Sequence, residues 1–374
     1  MRRVLILCEY PTLLGGERSM LATVPAVRDA GFDVYVMAPA GGPLAVALHE
    51  ANVSHISWQV QGENGERLHL DRLRANVADI IREIRPQLLH ANSLSVSRIA
   101  GPVAAACGVQ SIGHIRDIIT LSRQAIEDVN ANRRLVAVSN ATRQYHINQG
   151  IAAAKCIVSH NGVDLDELQP RPANGYLHRE LRLNDQAQLV ASVGQLGSRK
   201  GVDVVLRAAS LIAEHMPNTH WLIVGERTSN KPESRDFALK LDAAAHVPPV
   251  SGRVHFLGSR NDVPQLLNEC ALLVHGARQE PLGRVLLEAA ASGVAVVATE
   301  VGGTRDIFPA ELDGAILVPP DDERALAEAT LALLENEPRR QSLARAARRR
   351  AEVAFDIRAA AQRLIAQYEA VLNG

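Results

Sequence analysis

Residues 278–303 read Arg-Gln-Glu-Pro-Leu-Gly-Arg-Val-Leu-Leu-Glu-Ala-Ala-Ala-Ser-Gly-Val-Ala-Val-Val-Ala-Thr-Glu-Val-Gly-Gly. Two carboxylates, Glu280 and Glu288, flank a Pro-Leu-Gly turn with seven residues between them. Pro281 suits the start of a helix, where its missing N–H costs nothing. A helix is expected over 284–292, stopped by Gly293, and a short apolar strand over 294–298. Glu280 then lies on the loop before the helix, and Glu288 near the helix start. Both face the end where backbone N–H groups are free and anions are favoured. Acids beside a phosphate site repel the phosphate unless they accept hydrogen bonds from neutral hydroxyls. The pattern points to a ligand carrying both groups, as a nucleotide sugar does: phosphates on amides, hydroxyls on carboxylates.

Outward from this stretch, short Val/Ile/Leu runs alternate with helical stretches, the mark of a parallel α/β sheet. Strands are expected at 4–8, 33–38, 54–58, 88–91, 111–115, 135–138 and 156–159. Helices intervene, as at 70–84, where apolar residues recur at helical spacing. Ser139 and Asn140 cap a helix over 141–149, ended by Gly150. The pattern stops after Asn161. Asn161-Gly162, Pro170, Pro172 and Asn174-Gly175 are turn and linker signals. A second series follows, at 189–193, 221–224, 254–257, 271–274, 294–298 and 315–318. The expectation is two doubly wound domains, 1–165 and 188–356, joined by a linker at 166–187. They would face one another across a cleft, with ligands at the carboxyl ends of the strands.

Five further motifs fall at such strand ends. Gly15-Gly16-Glu17 follows the first strand and opens a helix, so its amides can approach an anion. Val193-Gly194-Gln195-Leu196-Gly197-Ser198-Arg199-Lys200-Gly201 joins a strand to a helix and carries two cations, Arg199 and Lys200, suited to a diphosphate. It is not a Walker loop, because no Ser or Thr follows the lysine. Gly113-His114-Ile115-Arg116-Asp117 ends another strand, as does His90-Ala91-Asn92-Ser93, read as an acceptor contact or a helix cap. Val301-Gly302-Gly303-Thr304-Arg305-Asp306 offers a second Gly-Gly loop.

Together these residues resemble the retaining, two-Rossmann-domain glycosyltransferases of the glycogen-synthase-like family 4 (GT4, group 1), with a GT-B-like fold. The family signature is Glu-x(7)-Glu, commonly Glu-Pro-Phe-Gly-x-x-x-x-Glu followed by Gly-Gly; Leu282 stands here for the Phe. The second motif is similar to the family's Val-Gly-Arg-Leu-x-x-x-Lys-Gly. Gln195 replaces the arginine, and Lys200 matches the lysine that neutralises the leaving diphosphate. His114 matches the histidine near the donor sugar, and the segment is closest to members showing His-x-Arg-Glu. The resemblance implies His114, Lys200 and Glu280 as catalytic. It implies donor contacts from Gly15, Gly16, Arg116, Arg199, Lys200, Leu257 at the nucleobase edge, Glu280, Leu282, Gly283, Arg284, Val285, Glu288 on ribose, Gly302, Gly303 and Thr304. Asn161-Gly162-Val163-Asp164 is similar to the interdomain turn, and the last helix, 357–374, would cross back to the first domain. The implied activity is retaining hexosyl transfer from a nucleoside-diphosphate sugar to a carbohydrate, lipid-linked or small-molecule acceptor. The alternatives are a phosphorylase or sugar-nucleotide epimerase of the same fold, or a non-catalytic binding subunit, which Gln195 motivates.

The 374 residues, 47% apolar with a formal net charge of −1, suit a globular protein with ample core. Aromatics at 3% argue against stacking platforms for nucleic acid. The four cysteines form no Cys-x-x-Cys and read as buried thiols in a reducing cytosol. The apolar run after Met1 is too short for a secretory signal, and no segment has the length of a membrane span. A cytoplasmic location follows. The arginine-rich run 339–350 reads as a solvated helix face or, alternatively, as a peripheral contact with the inner membrane surface. Asp164-Leu165-Asp166 reads as loop chemistry. Neither metal nor cofactor is expected, no histidine cluster has zinc spacing, and the absence of Gly-x-Gly-x-x-Gly weighs against a dehydrogenase.

Overall fold

A computed structural model describes residues 2–374 as two compact units. The first spans Met1–Gly162 and Ile357–Gly374, the second Val163–Asp356. Each is built on one parallel sheet whose central strands are buried beneath helices, which is why those strands read as continuous apolar runs.

In the first unit the strands are β1 (Arg2–Leu7), β2 (Phe32–Ala38), β3 (Ser54–Ser57), β4 (Leu88–Ala91), β5 (Gln110–Ile115), β6 (Arg134–Ala137) and β7 (Cys156–Val158). Their order is β3-β2-β1-β4-β5-β6-β7. The winding reverses between β1 and β4, so the loops after these two strands diverge and leave a crevice at their carboxyl ends. The helix Ile357–Asn373 belongs to this unit. Its Leu364, Ile365, Tyr368 and Val371 share a core with Met20, Val24 and Phe32. Arg2 grips Glu369 on the same helix through two nitrogens, at 2.5 and 2.6 Å.

The second unit holds β8 (Gln188–Val193), β9 (Thr219–Val224), β10 (Val254–Gly258), β11 (Leu272–His275), β12 (Ala295–Thr299) and β13 (Ile316–Val318), in the order β10-β9-β8-β11-β12-β13. Its switch point lies between β8 and β11. The loops leaving those two strands carry Lys200 and Glu280.

Two expectations are corrected. The segment 166–187 is not a bare linker: it holds a helix, Tyr176–Leu181, and is bound to the second unit. The buried Glu269 carboxylate accepts the amides of Asn174 and Gly175 at 2.8 and 3.0 Å, and Tyr176 donates to Asp262 at 2.8 Å. Turn residues marked the break in periodicity, but the partner acids lie some 90 positions downstream and cannot be paired from local sequence. Pro281 does not open a helix either. The helix is Arg284–Ala291, and Gly283 caps it at φ 104°, a conformation only glycine takes freely.

Candidate active site

The second unit's site is made where two loops touch. After β8 the chain turns through a short 3-10 segment, Ser198–Lys200, and Gly201 adopts φ +62° before the helix Val202–Ile212. A Cβ on Gly201 would fall 1.8 Å from the carbonyl oxygen of Gly276, the residue that follows β11. The loops are further stitched by Arg278. Its amide donates to the Arg199 carbonyl at 2.9 Å, and its guanidinium reaches Ser198 O, Asp203 and Asp321 at 2.6–2.9 Å.

This contact sets Lys200 Nζ 2.6 Å from Glu280 Oε2. His275 Nε2 lies 3.0 Å from the same oxygen. A carboxylate only accepts, so His275 carries its proton on Nε2. Burial raises the Glu280 carboxyl, but the Lys200 charge and the His275 hydrogen bond outweigh it and hold the group at about 2. Both bonds use Oε2, which leaves Oε1 as the acceptor for a ligand hydroxyl. The Glu280 carbonyl takes the amide of Gly303 at 2.9 Å, which ties the second Gly-Gly loop to the same loop.

Other expected donor contacts divide. Arg284 Nε meets Glu288 Oε1 at 2.8 Å, one helical turn apart. Val285 follows Arg284 in the first turn of that helix. The side chains of Leu282 and Thr304 are buried, and both the hydroxyl and the amide of Thr304 donate to Val301 O, at 2.8 and 3.1 Å. Leu257 sits at a register shift on the edge strand β10, two strands from β8.

In the first unit, His114 is buried on β5. Its Nδ1 lies 2.8 Å from His90 Nε2 and 3.3 Å from Arg116 Nη2. Arg116 also donates to Asn92 O, Asn92 Oδ1 and Asn161 Oδ1 at 2.8–2.9 Å. Of its five N–H groups one remains, on Nη1. Arg116 thereby organises the loops around His114. His90 is 1% exposed beneath His114, so it is not an acceptor contact. Asn92 donates to Gly16 O at 3.2 Å, which ties the Gly15-Gly16 loop to the same group. The Glu17 carboxylate accepts the amide of Leu14 at 3.1 Å, so an acid already occupies the start of the helix Gly15–Asp29.

Burial, reinforced by the Arg116 charge, lowers His90 to about 3 and holds His114 well below 6.5. Both folded values lie below the unfolded one, so protons bind the unfolded chain preferentially as pH falls below 6.5. The stability these neutral rings contribute is full above pH 6.5 and lost as pH falls through that window. Glu280 acts with the same sign between 4.5 and about 2. The urea midpoint of the full chain is expected to drop from pH 7 to pH 5, with a shallower drop in His90→Gln. An equal drop in both would remove His90 from the account.

The arginine-rich run is mostly committed to the protein. Arg339 pairs with Asp313, Arg340 with carbonyls of Leu333 and Leu334, Arg348 with Leu168 O and Glu352, and Arg350 with Ile307 O and Asp306 O. Arg345 and Arg349 are exposed. Among the described residues no helix is long and apolar enough to cross a membrane. The Asp164 carboxylate accepts the amides of Asp166 and Glu167, closing a turn.

The sequence matches two family descriptions, "Glycosyltransferase Family 4" over residues 14–167 and "Glycosyl transferases group 1" over 176–350. This chain belongs to the group 1, family 4 glycosyltransferases. The family 4 chain is 26% identical to spore coat protein SA of Bacillus subtilis, over 92% of this chain and 96% of that one. It is 33% identical to the lipopolysaccharide glucosyltransferase WaaG of Escherichia coli, over 46% of this chain and 43% of WaaG. By fold it superposes on Anabaena HepE, solved with UDP-glucose, at a TM-score of 0.87, 22% identity, and 99% and 100% coverage. That likeness shows the GT-B fold for the group 1 chain.

The residues whose roles were missed at the sequence level are His275, Gly201, Gly276, Arg278 and Tyr368. His275 lies five positions from Glu280, and the others act through contacts with residues distant in sequence. The one local hint was His275-Gly276 at the end of an apolar run.

Proposed function

We propose that this glycosyltransferase moves a hexosyl group from a nucleoside-diphosphate sugar with retention of configuration. The observation that carries the reading is the Lys200–Glu280–His275 cluster at the switch point of the second sheet. Breaking the bond from sugar to phosphate builds negative charge on the diphosphate, and an ammonium in a partly dry site stabilises it. Lys200 has two further donors for that role. Glu280 Oε1 would orient sugar hydroxyls, Glu288 the ribose, and the amide of Gly302 the phosphate. HepE, solved with UDP-glucose, makes that donor the first to try. His114 is proposed as a further contact at the reacting sugar.

No metal is assigned a role in this proposal. The test is transfer by the full chain with metal-free nucleotide sugars in excess chelator, with and without acceptors from cell extract. Expected is product in chelator. Complete loss, restored by manganese or magnesium, would overturn the metal-free reading. Sugar phosphate formed without acceptor would mark a phosphorylase. Binding with no turnover on any donor would mark the non-catalytic subunit that Gln195 motivates.

Glu288→Ala is expected to weaken nucleoside-diphosphate binding by about 1–3 kcal/mol, the range for charged hydrogen bonds, with the circular dichroism spectrum unchanged. Calorimetric titration checks it, and an unaltered affinity would make Glu288 a partner of Arg284 only.

A further inference from the structure

Behind His114 runs a buried chain of three rings. Tyr368 Oη lies 2.6 Å from His90 Nδ1, and His90 Nε2 lies 2.8 Å from His114 Nδ1. Arg116 Nη2, 3.3 Å from that same Nδ1, closes the set. Tyr368 comes from the last helix and His90 from β4, 278 positions apart, and both are fully enclosed.

The proton order follows from Arg116, because a guanidinium only donates. His114 Nδ1 must therefore be bare. His90 then has to donate to it through Nε2–H. A neutral imidazole holds one proton, so His90 Nδ1 is bare in turn and accepts the Tyr368 hydroxyl. Burial and the nearby guanidinium both disfavour a cation on either ring. A proton added to His114 Nδ1 would also face two donors at once. His114 Nε2 has no partner among the described residues.

We propose that Tyr368 and His90 are positioning residues that lock His114 as the Nε2–H tautomer, so that it meets the reacting sugar or acceptor as a hydrogen-bond donor and not as a base. The kinetic part rests on the transferase reading above; the tautomer does not. The C-terminal helix is thereby part of the first unit's site. Without Tyr368 the buried Nδ1 of His90 loses its donor and the ring its anchor.

The first measurement is the 15N spectrum of ring-labelled full chain at pH 7, with His114 assigned by its loss in His114→Gln or by its ring-to-ring contact with His90. A protonated Nε2 and a bare Nδ1 are expected. A proton on Nδ1, or on both nitrogens, overturns the proposal. The second is steady-state kinetics. His90→Leu is expected to lower kcat about 10- to 100-fold, the scale for a misplaced group, with donor KM changed less than about threefold. His90→Gln, whose amide can still donate to His114 Nδ1, should recover most of that loss, and Tyr368→Phe should show a smaller fall in kcat alone. Unchanged kcat in both Tyr368→Phe and His90→Gln, with no rescue difference from His90→Leu, would sink the positioning role. If the wild-type chain turns over no donor, the functional reading fails, while the nitrogen spectrum still decides the tautomer.

Discussion

Lys200→Ala is expected to lower kcat about a hundredfold or more, the scale for losing one electrostatic stabiliser, with a smaller effect on donor affinity. The asymmetry arises because charge on the diphosphate grows between ground state and transition state. The structure adds a cost in folding. Lys200, together with the His275 hydrogen bond, outweighs burial at Glu280. Its loss leaves a buried carboxylate with His275 alone, and breaking such a pair costs about 3–5 kcal/mol. Urea unfolding of Lys200→Ala beside Lys200→Ala/Glu280→Gln separates the two effects. The double variant should regain stability, since a neutral amide replaces the orphaned charge, and should not regain kcat. If kcat is untouched while KM alone rises, Lys200 binds without stabilising the leaving group.

Gly201→Ala is expected to damage both folding and turnover, although it adds one methyl group. The Cβ would overlap the Gly276 carbonyl at 1.8 Å, and the backbone is in the left-handed region at φ +62°. A left-handed non-glycine residue costs about 1–3 kcal/mol and forced overpacking a similar amount, so roughly 2–6 kcal/mol should be lost from the second unit. The opposing atom is backbone, so relief requires the Lys200 and Glu280 loops to part, and kcat should fall with stability. Gly197→Ala is the control. Gly197 has extended backbone at φ −140° and nothing within 4 Å of its Cβ position, so it should behave as wild type. A Gly201→Ala chain with wild-type midpoint and kcat would show that the close approach is dispensable.

Much of the fold was legible because both sheets are parallel and buried on two faces. Each central strand is then a short apolar run between helices of distinct period. The strand positions follow from that contrast, as do Ser139, whose Oγ accepts the Thr142 amide at 3.0 Å, and Gly150 at φ 112°. Segment 166–187 was less legible. Its turn residues signalled an end of periodicity, and a helix of Tyr176–Leu181 is too short for its period to stand out.

The sequence alone determined the two-sheet architecture and the family, because strand periodicity and the loop motifs at strand ends are local properties. Tertiary structure alone decided what the site residues do to one another. Lys200 and Glu280 are 80 positions apart and meet because Gly201 and Gly276 let two backbones touch. The proton order at His114 depends on Arg116 on the segment leaving the same strand, His90 on its neighbour, and Tyr368 on the final helix. A hydrogen bond specifies its partners within tenths of an ångström, and the spacing of residues along a chain carries no such distance until the sheet brings the strand ends side by side.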